Sequence, residues 1–465
     1  MSRTGGIRRW ATSLAIAALM MLATPISSRA QFTTLVSFTG ANGNLPFMEN
    51  LVQGKNGSLY GTTTYGGTSG NGTIFKVTPT GTLTTIYNFA NTPDGANPDA
   101  GLVLGTDGKF YGTTYQGGTS GLGTVFKITS LGTLTILHSF AGTDGELPTC
   151  ALVEGTDGKF YGTTEAGGSH VPPYGTVFKI TSLGTFTSLH SFTGADGQGP
   201  EAALVQGSNG NYYGTTAGGG ASNLGTVFKI TSTGTLTTLH SFAGTDGWEP
   251  EGALIQATDG DFYGTTVRGG TSSDGTAFKI TPTGTFTPLH SFDVTDGYEP
   301  VAGLIQATDG NFYGTTYSGG TYGEGNIFEM TSGGTVTSLH SFSGGDGGTD
   351  GDYPSGGLVQ QTNGAFFGTT GGVGSGGLGT VFSLSEGLKA FVKTVPTSGK
   401  VGSAVTILGT KLTGASVTFN GVKAAITANT ATYISTTVPT GASTGPVVVS
   451  TPCCTYTSNV RFVVP

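Results

Sequence analysis

Five histidines recur about 50 residues apart, and they are the first residues of the chain that could carry chemistry. They are His138, His190, His240, His290 and His340. Imidazole is a common metal ligand and general base. Each histidine lies in the same LHSF segment of a repeated unit, however, and other copies of the unit lack it, with Asn88 and Ser37 or their neighbours as the expected equivalents. We therefore interpret the five histidines as structural.

Residues that differ between the copies are better candidates for ligand binding. Two loops of each unit vary, and we expect both on one face of the fold. They supply aromatic, acidic and basic side chains, namely Tyr65, Tyr115, Glu165, Trp248, Glu249, Arg268, Tyr298, Glu299 and Tyr317. Aromatic rings can stack on sugars, and carboxylates can bind hydroxyl or cationic groups. The alternative is that these are ordinary loop residues.

Two further loops depart from the repeat. The loop that contains Asp346, Asp350 and Asp352 places three carboxylates within seven residues, and carboxylates of this kind can bind calcium. Asp346 precedes a glycine, as do the interblade-loop residues Asp144, Asp196, Asp246 and Asp296, so the alternative is that it is a turn residue. The insertion from His170 to Tyr174 contains two prolines and is a candidate partner contact.

The elements that position these loops form a repeat of about 50 residues. Its core motif, FYGTT or a close variant, occurs seven times and begins at Leu59, Phe110, Phe160, Tyr212, Phe262, Phe312 and Phe366. In the third copy, four runs rich in β-forming residues are separated by turn signals: Ala151–Gly155, Lys159–Thr164, Gly175–Thr181 and Thr185–Phe192. Four strands per unit predict a propeller blade.

The two ends of the repeat region predict a closed ring. The last copy stops after its third strand, Gly379–Leu384, and the missing fourth strand type occurs at the N-terminal end as Phe32–Phe38. A ring closed by pairing the first strand into the last blade needs this offset, whereas a linear solenoid does not. We therefore predict an all-β chain with a seven-bladed β-propeller over residues 31–387.

The repeated unit resembles the GloVer tandem repeat of exported bacterial proteins from about Phe32 to Glu386, and it is more loosely similar to NHL-type repeats. That resemblance implies export and a propeller, and it implies no reaction and no catalytic residues. Residues 388–465 contain ordered short motifs such as GSAVTIL and ASVTFNG. These motifs resemble an IPT/TIG immunoglobulin-like β-sandwich, which implies a spacer or interaction module.

Residues 1–30 have the pattern of a signal peptide: arginines at positions 3, 8 and 9, an apolar stretch over residues 11–23, and Ser28-Arg29-Ala30 before the expected cleavage site. We expect the mature chain outside the cytoplasm, with no transmembrane segment. Residues 31–387 hold all 27 acidic residues and nine basic ones, which argues against a nucleic-acid partner. Among the three cysteines, Cys150 is expected to be buried, and a bond between Cys453 and Cys454 would be strained.

These observations predict an exported, monomeric, non-catalytic binding or scaffold protein for a protein or carbohydrate of the cell envelope or surroundings. No cofactor other than calcium is expected. The alternative is an extracellular carbohydrate-active enzyme that uses a carboxylate pair. Glu165 and Glu249 would have to lie within about 5–10 Å of each other for that chemistry.

Overall fold

β-Strands are the regular elements of the computed structural model, which describes residues 30–46, 50–344, 348–372 and 377–465. They form nine four-stranded antiparallel sheets, seven from the repeats and two from the C-terminal region. The described residues include no helix long and apolar enough to cross a membrane. The prediction of an all-β chain built from four-stranded units is thus confirmed.

Each repeat sheet contains four classes of strand in order. The two-residue first strands are β2 (Val52–Gln53), β6 (Val103–Leu104), β10 (Val153–Glu154), β14 (Val205–Gln206), β18 (Ile255–Gln256), β22 (Ile305–Gln306) and β26 (Val359–Gln360). The second strands are β3 (Leu59–Thr63), β7 (Phe110–Thr114), β11 (Phe160–Thr164), β15 (Tyr212–Thr216), β19 (Phe262–Thr266), β23 (Phe312–Thr316) and β27 (Phe366–Thr370). The third strands are β4 (Thr73–Val77), β8 (Thr124–Ile128), β12 (Thr176–Ile180), β16 (Thr226–Ile230), β20 (Thr276–Ile280), β24 (Asn326–Met330) and β28 (Thr380–Ser385). The fourth strands are β1 (Gln31–Ser37), β5 (Leu83–Asn88), β9 (Leu134–Ser139), β13 (Phe186–Ser191), β17 (Leu236–Ser241), β21 (Phe286–Ser291) and β25 (Val336–Ser341).

The first strands are shorter than the predicted run Ala151–Gly155. Only Val153 and Glu154 pair with the second strand. Gly155 instead belongs to the following turn, where its N–H donates to the carbonyl of Lys159 at 2.8 Å. The turn therefore begins earlier than the composition of the run suggested.

The constant FYGTT motif packs against neighbouring strands of its own sheet and against the next sheet. A Cβ on Gly162 would lie 2.7 Å from side-chain atoms of both Leu152 and Phe178, so only glycine lets these residues pack. Tyr161 donates a hydrogen bond to the turn residue Asp157 at 3.0 Å and stacks on Tyr212 of the next sheet, with ring centroids 4.0 Å apart. The constancy of the motif follows from packing.

Each fourth strand carries a β-bulge where it pairs with the third strand. In the third repeat, Val177 pairs with His190 while Phe178 pairs with Ser188, so Leu189 is an extra residue. A bulge of this kind shifts the side-chain alternation by one position. Apolar residues on both sides of the bulge can consequently face the same core.

The N-terminal strand β1 pairs with β28 and completes the sheet of the last repeat, in the order β1-β28-β27-β26. The first and last repeats also contact each other directly. The backbone N–H of Thr362, in the last repeat, donates to the side-chain oxygen of Gln53 at 3.1 Å.

The bond between Thr362 and Gln53 is one of a series that joins consecutive sheets. In each case a turn N–H bonds the side chain that ends the next first strand, with acceptors Glu154, Gln206, Gln256, Gln306, Gln360 and Gln53. Leu104 occupies this position in β6 and belongs instead to an apolar cluster that includes Leu408 of the C-terminal region. At this position the junction between the first two sheets is therefore apolar.

The C-terminal region forms two sheets, ordered β29-β30-β34-β33 and β32-β31-β35-β36. Their strands are β29 (Lys393–Val395), β30 (Ala404–Leu408), β31 (Ser416–Phe419), β32 (Val422–Ala424), β33 (Ile426–Asn429), β34 (Tyr433–Thr437), β35 (Val447–Ser450) and β36 (Thr455–Thr457). Both sheets share one buried cluster that includes Ile407, Phe419 and Val447. Residues 460–464 contribute only the isolated bridges of Phe462 with Gly445 and of Val463 with Ser398.

The C-terminal region contacts the repeat sheets at their turns. Thr432 donates a hydrogen bond to the carbonyl of Lys55 at 2.7 Å. The N–H of Phe391 donates to the carbonyl of Thr362 at 3.0 Å. Leu408 and Tyr433 join the apolar cluster at the first junction. The loops that contain the predicted ligand-binding residues lie at the other ends of the strands, away from these contacts.

Candidate functional site

The two variable loops of each repeat are hydrogen-bonded to one another. The loop between the second and third strands meets the loop that leads into the same sheet, as in the pairs Trp248 with Arg268 and Tyr298 with Ser318. The residue after the bridge, Glu249 or Glu299, has a positive φ of 57° and accepts a backbone bond from the neighbouring loop. Few non-glycine residues adopt this conformation, and the repeat imposes it at each junction.

A pocket of about 400 Å³ lies among the loops of the third to fifth repeats. Its lining combines the aromatic side chains Tyr174 and Trp248 with the carboxylates Glu165, Glu201 and Glu249. Glu165, Trp248 and Glu249 are predicted site residues, so the fold brings three of the nine together. Burial raises the pKa of Glu165.

Arg268 fixes one wall of this pocket. Its Nε lies 2.9 Å from Oε2 of Glu249, and its guanidinium lies 5.8 Å from the centroid of the Trp248 ring. The Trp248 side chain remains 38% exposed. The ion pair and the cation–π contact together hold an accessible indole beside a carboxylate.

A narrow opening lies next to the pocket and is lined by the residues that precede the first strands, such as Ala151, Ala203 and Gly303. Glu201 lines both cavities, and Glu251 lines the opening. Burial, reinforced by repulsion from Glu251, Glu165 and Glu249, raises the pKa of Glu201 to about 8. Burial, with Glu249 next, raises the pKa of Glu251 to about 7.

Sequence reasoning missed Glu251 and Asp99 and left Glu201 out of the predicted site. Each of the three directly follows a proline at the start of a repeat, and that position was the available signal. Burial, reinforced by the charge of Glu165, raises the pKa of Asp99 to about 6. The acids of several repeats therefore converge, although they are about 50 residues apart in sequence.

The remaining predicted residues do not line this pocket. Tyr65 is exposed. Tyr115 is half-buried, and burial followed by the charge of Glu165 raises its pKa. Tyr298 and Glu299 lie one junction further round, and Tyr317 stacks on Tyr353 with centroids 4.9 Å apart.

The insertion from His170 to Tyr174 builds part of the pocket. Pro173 and Tyr174 line it, while Val171 projects into solvent and is 97% exposed. Tyr174 also packs beside Gly194 and the core of the third and fourth repeats. The insertion thus contributes a wall of the site.

The aspartate loop is divided in the structure. Asp350 accepts hydrogen bonds from Ser343 and lies 3.0 Å from Nε2 of His340. Asp352 is 3% exposed and its Oδ1 has no partner among the described residues. Asp346 lies outside the described residues. Within the described residues, no group of three or more His, Cys, Asp or Glu side chains could hold a metal ion, and calcium binding by the three aspartates stays a prediction.

The five histidines are separate, and each pairs with the aspartate of its own interblade loop. The pairs, 2.7–3.0 Å apart, are His138–Asp144, His190–Asp196, His240–Asp246, His290–Asp296 and His340–Asp350. In the first repeat, Tyr87 bonds Asp94 in the same way at 2.6 Å.

Strand pairing identifies the histidine equivalents, and a loop insertion corrects one assignment. The equivalents are Tyr87 and Val36, the neighbours of Asn88 and Ser37, because they pair with the third strand as histidine does. Asp350, and not Asp346, is the repeat equivalent, because the loop has an insertion before it.

Comparison with known proteins identifies the family. The model of the Gloeobacter/Verrucomicrobia repeat matches residues 24–208 and 203–434, and the chain belongs to this family. The search of curated proteins gave no match.

Several solved structures are similar in fold at low identity. A gluconolactonase of Xanthomonas campestris is 13% identical, with a TM-score of 0.41 over 77% of this chain and 90% of that one. The periplasmic gluconolactonase of Pseudomonas aeruginosa is 17% identical, with a TM-score of 0.44 over 64% and 85%. An auxiliary nutrient binding protein of Bacteroides ovatus is 13% identical, with a TM-score of 0.43 over 77% and 76%.

Proposed function

We propose that the chain is an exported, monomeric binding protein whose repeat sheets close into a seven-bladed β-propeller, followed by an IPT/TIG-type immunoglobulin-like domain. The pairing of β1 with β28 and the bond from Thr362 to Gln53 support closure. The shared core of the two C-terminal sheets supports a sandwich. Export rests on the signal-like pattern of residues 1–30.

The ligand that fits best is a carbohydrate of the cell envelope. The observation that carries this proposal is the pocket of about 400 Å³, which combines Trp248 and Tyr174 with three carboxylates. Indole and phenol rings stack on the apolar faces of sugar rings, and carboxylates accept hydrogen bonds from hydroxyl groups. The pocket is built from residues that differ between repeats, so it is a property of this chain and not of the blade.

Binding can be tested with an array of envelope glycans and the chain from residue 31 onward. We expect Trp248→Ala to lower affinity at least tenfold, because it removes the exposed ring. Tyr298→Ala is the matched control, since Tyr298 occupies the equivalent loop position outside the pocket. Equal losses in both variants, or binding only to envelope proteins, would contradict the glycan proposal.

A carbohydrate-active hydrolase is the second candidate function, and one observation favours it. At neutral pH, Glu201 is largely protonated because burial and neighbouring carboxylates raise its pKa to about 8. Glu249 lines the same pocket and forms an ion pair with Arg268 at 2.9 Å. An acid and a carboxylate are the two groups that glycoside hydrolysis requires.

Hydrolysis can be separated from binding by Glu201→Gln. If the chain is a hydrolase, this variant should lose turnover of an envelope glycan while it retains affinity, because the amide cannot donate the proton that the acid supplies. Wild-type chain that binds the glycan without releasing products over an extended incubation would exclude the hydrolase and leave the binding proposal intact.

A further inference from the structure

Glu324 and Asp352 stand together at the junction between the sixth and seventh repeats, away from the pocket described above. Glu324 ends the loop between the second and third strands of the sixth repeat, and its carbonyl accepts the N–H of Tyr353 at 2.9 Å. Asp352 immediately precedes Tyr353. Each carboxylate has one buried oxygen that has no hydrogen-bond partner among the described residues. These oxygens are Oε2 of Glu324 and Oδ1 of Asp352.

The equivalent loop position is apolar in most other repeats. It is occupied by Leu122, Tyr174, Leu224 and Leu378, and each of these packs against an apolar cluster. Glu324 therefore places a carboxylate where four other repeats pack an apolar or aromatic side chain. A buried carboxylate needs a charged or hydrogen-bonding partner to offset its desolvation.

Among the seven junctions, this is the one where both positions carry an acidic residue, Asp352 on one loop and Glu324 on the other. The counterparts of Asp352 in the other loops are Asn44, Ala96, Glu146, Gln198, Trp248 and Tyr298. The Asp352 carboxylate lies directly over Gly372, where a Cβ would meet its Oδ1. The absence of a side chain at Gly372 makes room for the carboxylate beside Glu324.

The two carboxylates influence one another. Burial, reinforced by the charge of Glu324, raises the pKa of Asp352 to about 6. A hydrogen bond to Glu324 raises the pKa of Tyr353, so this hydroxyl also faces the acidic pair. The arrangement thus concentrates negative charge in a buried place that no Lys or Arg side chain neutralises through an ion pair among the described residues.

We propose that Glu324 and Asp352 bind one divalent cation of the calcium class between the sixth and seventh repeats. Calcium takes oxygen ligands in flexible geometry, and water completes its coordination when a protein supplies only part of the shell. The ion would satisfy both buried oxygens and would join the two loops. This site differs from the predicted aspartate loop, because it uses Glu324 and does not need Asp346 or Asp350.

The test is thermal unfolding of the chelator-treated chain, from residue 31 onward, with and without millimolar CaCl2. We expect calcium to raise the Tm of the wild type, because a ligand that binds only the folded state stabilises it. Glu324→Gln and Asp352→Asn should each lose this rise. Glu324→Gln should also unfold at or above the Tm of the calcium-free wild type, since it removes repulsion, so loss of its response cannot be attributed to misfolding.

Two controls keep the outcome specific. Asp274→Asn changes the equivalent position of the fifth repeat, where the opposing residue is Tyr298, and it should retain the calcium response. Asp346→Asn should also retain it. An unresponsive wild type would overturn the proposal, and so would a response that Glu324→Gln retains or that Asp346→Asn abolishes.

Discussion

Replacement of Phe38 by alanine tests ring closure most directly. Phe38 follows strand β1, is 0% exposed, and lies 5.2 Å from the ring of Phe75 in the first repeat sheet. Its cluster also includes Val381 and Phe367 of the last sheet. The side chain therefore contacts both the first and the last repeat sheet.

The size of the effect follows from burial. Truncation of a buried phenylalanine to alanine costs about 3–5 kcal/mol in the free energy of unfolding. If about 350 residues unfold as one unit, the unfolding entropy is roughly 0.7 kcal/mol/K, and the expected loss in Tm is about 4–7 °C. Differential scanning calorimetry measures this shift.

Thr33→Ala is the matched control, because Thr33 lies in the same strand and is exposed. Surface substitutions of this kind usually change the free energy of unfolding by no more than about 0.5 kcal/mol. If Phe38→Ala lowered Tm no more than Thr33→Ala, the N-terminal strand would not stabilise the propeller, and the closure proposal would be wrong.

Three further predictions concern the repeat, the His–Asp pairs and the C-terminal region. Gly162→Ala should cost about 1–3 kcal/mol, because its Cβ would lie 2.7 Å from Leu152 and Phe178, whereas Gly333→Ala, in open space, should be nearly neutral by denaturant titration. Burial opposes ionisation of Asp196, but hydrogen bonds from Thr193 and His190 prevail and lower its pKa. Its folded-state pKa thus lies below the unfolded value of about 4, so it adds stability above about pH 4 that is lost as pH falls through the folded pKa. Asp196→Asn should therefore show a shallower loss of Tm in acid than the wild type, and an unchanged slope would contradict this account. Leu408→Ala should cost about 2–5 kcal/mol and separate a C-terminal transition in calorimetry, because Leu408 is 2% exposed in the shared cluster; a single unchanged transition would argue against docking.

The repeat, the four-strand unit and the partner of the N-terminal strand could be predicted because they depend on local turn signals and on a period that recurs. The lengths of the first strands could not be predicted. The composition of Ala151–Gly155 does not distinguish its residues, although only Val153 and Glu154 pair with the second strand. The bulge at Leu189 was also hidden, because it depends on how two strands pair.

The candidate site was predictable only in part. Glu165, Trp248 and Glu249 could be found because they break the repeat. Glu251 and Asp99 could not be placed, since their proximity to Glu165 depends on how the separate repeats converge. The role of Asp350 was misassigned to Asp346, because an insertion in that loop makes the spacing from His340 differ from the other repeats.

The apolar junction at Leu104 has a consequence for biosynthesis. At six junctions the residue that ends the first strand is polar, whereas here Leu104 packs in a cluster with Leu408 and Tyr433, which are translated some 300 residues later. Strand β1 likewise cannot pair until β28 has been synthesised. Both early segments would leave the ribosome with apolar or unpaired surfaces that only later parts of the chain cover. We therefore expect a chain that lacks its C-terminal region to need chaperone protection.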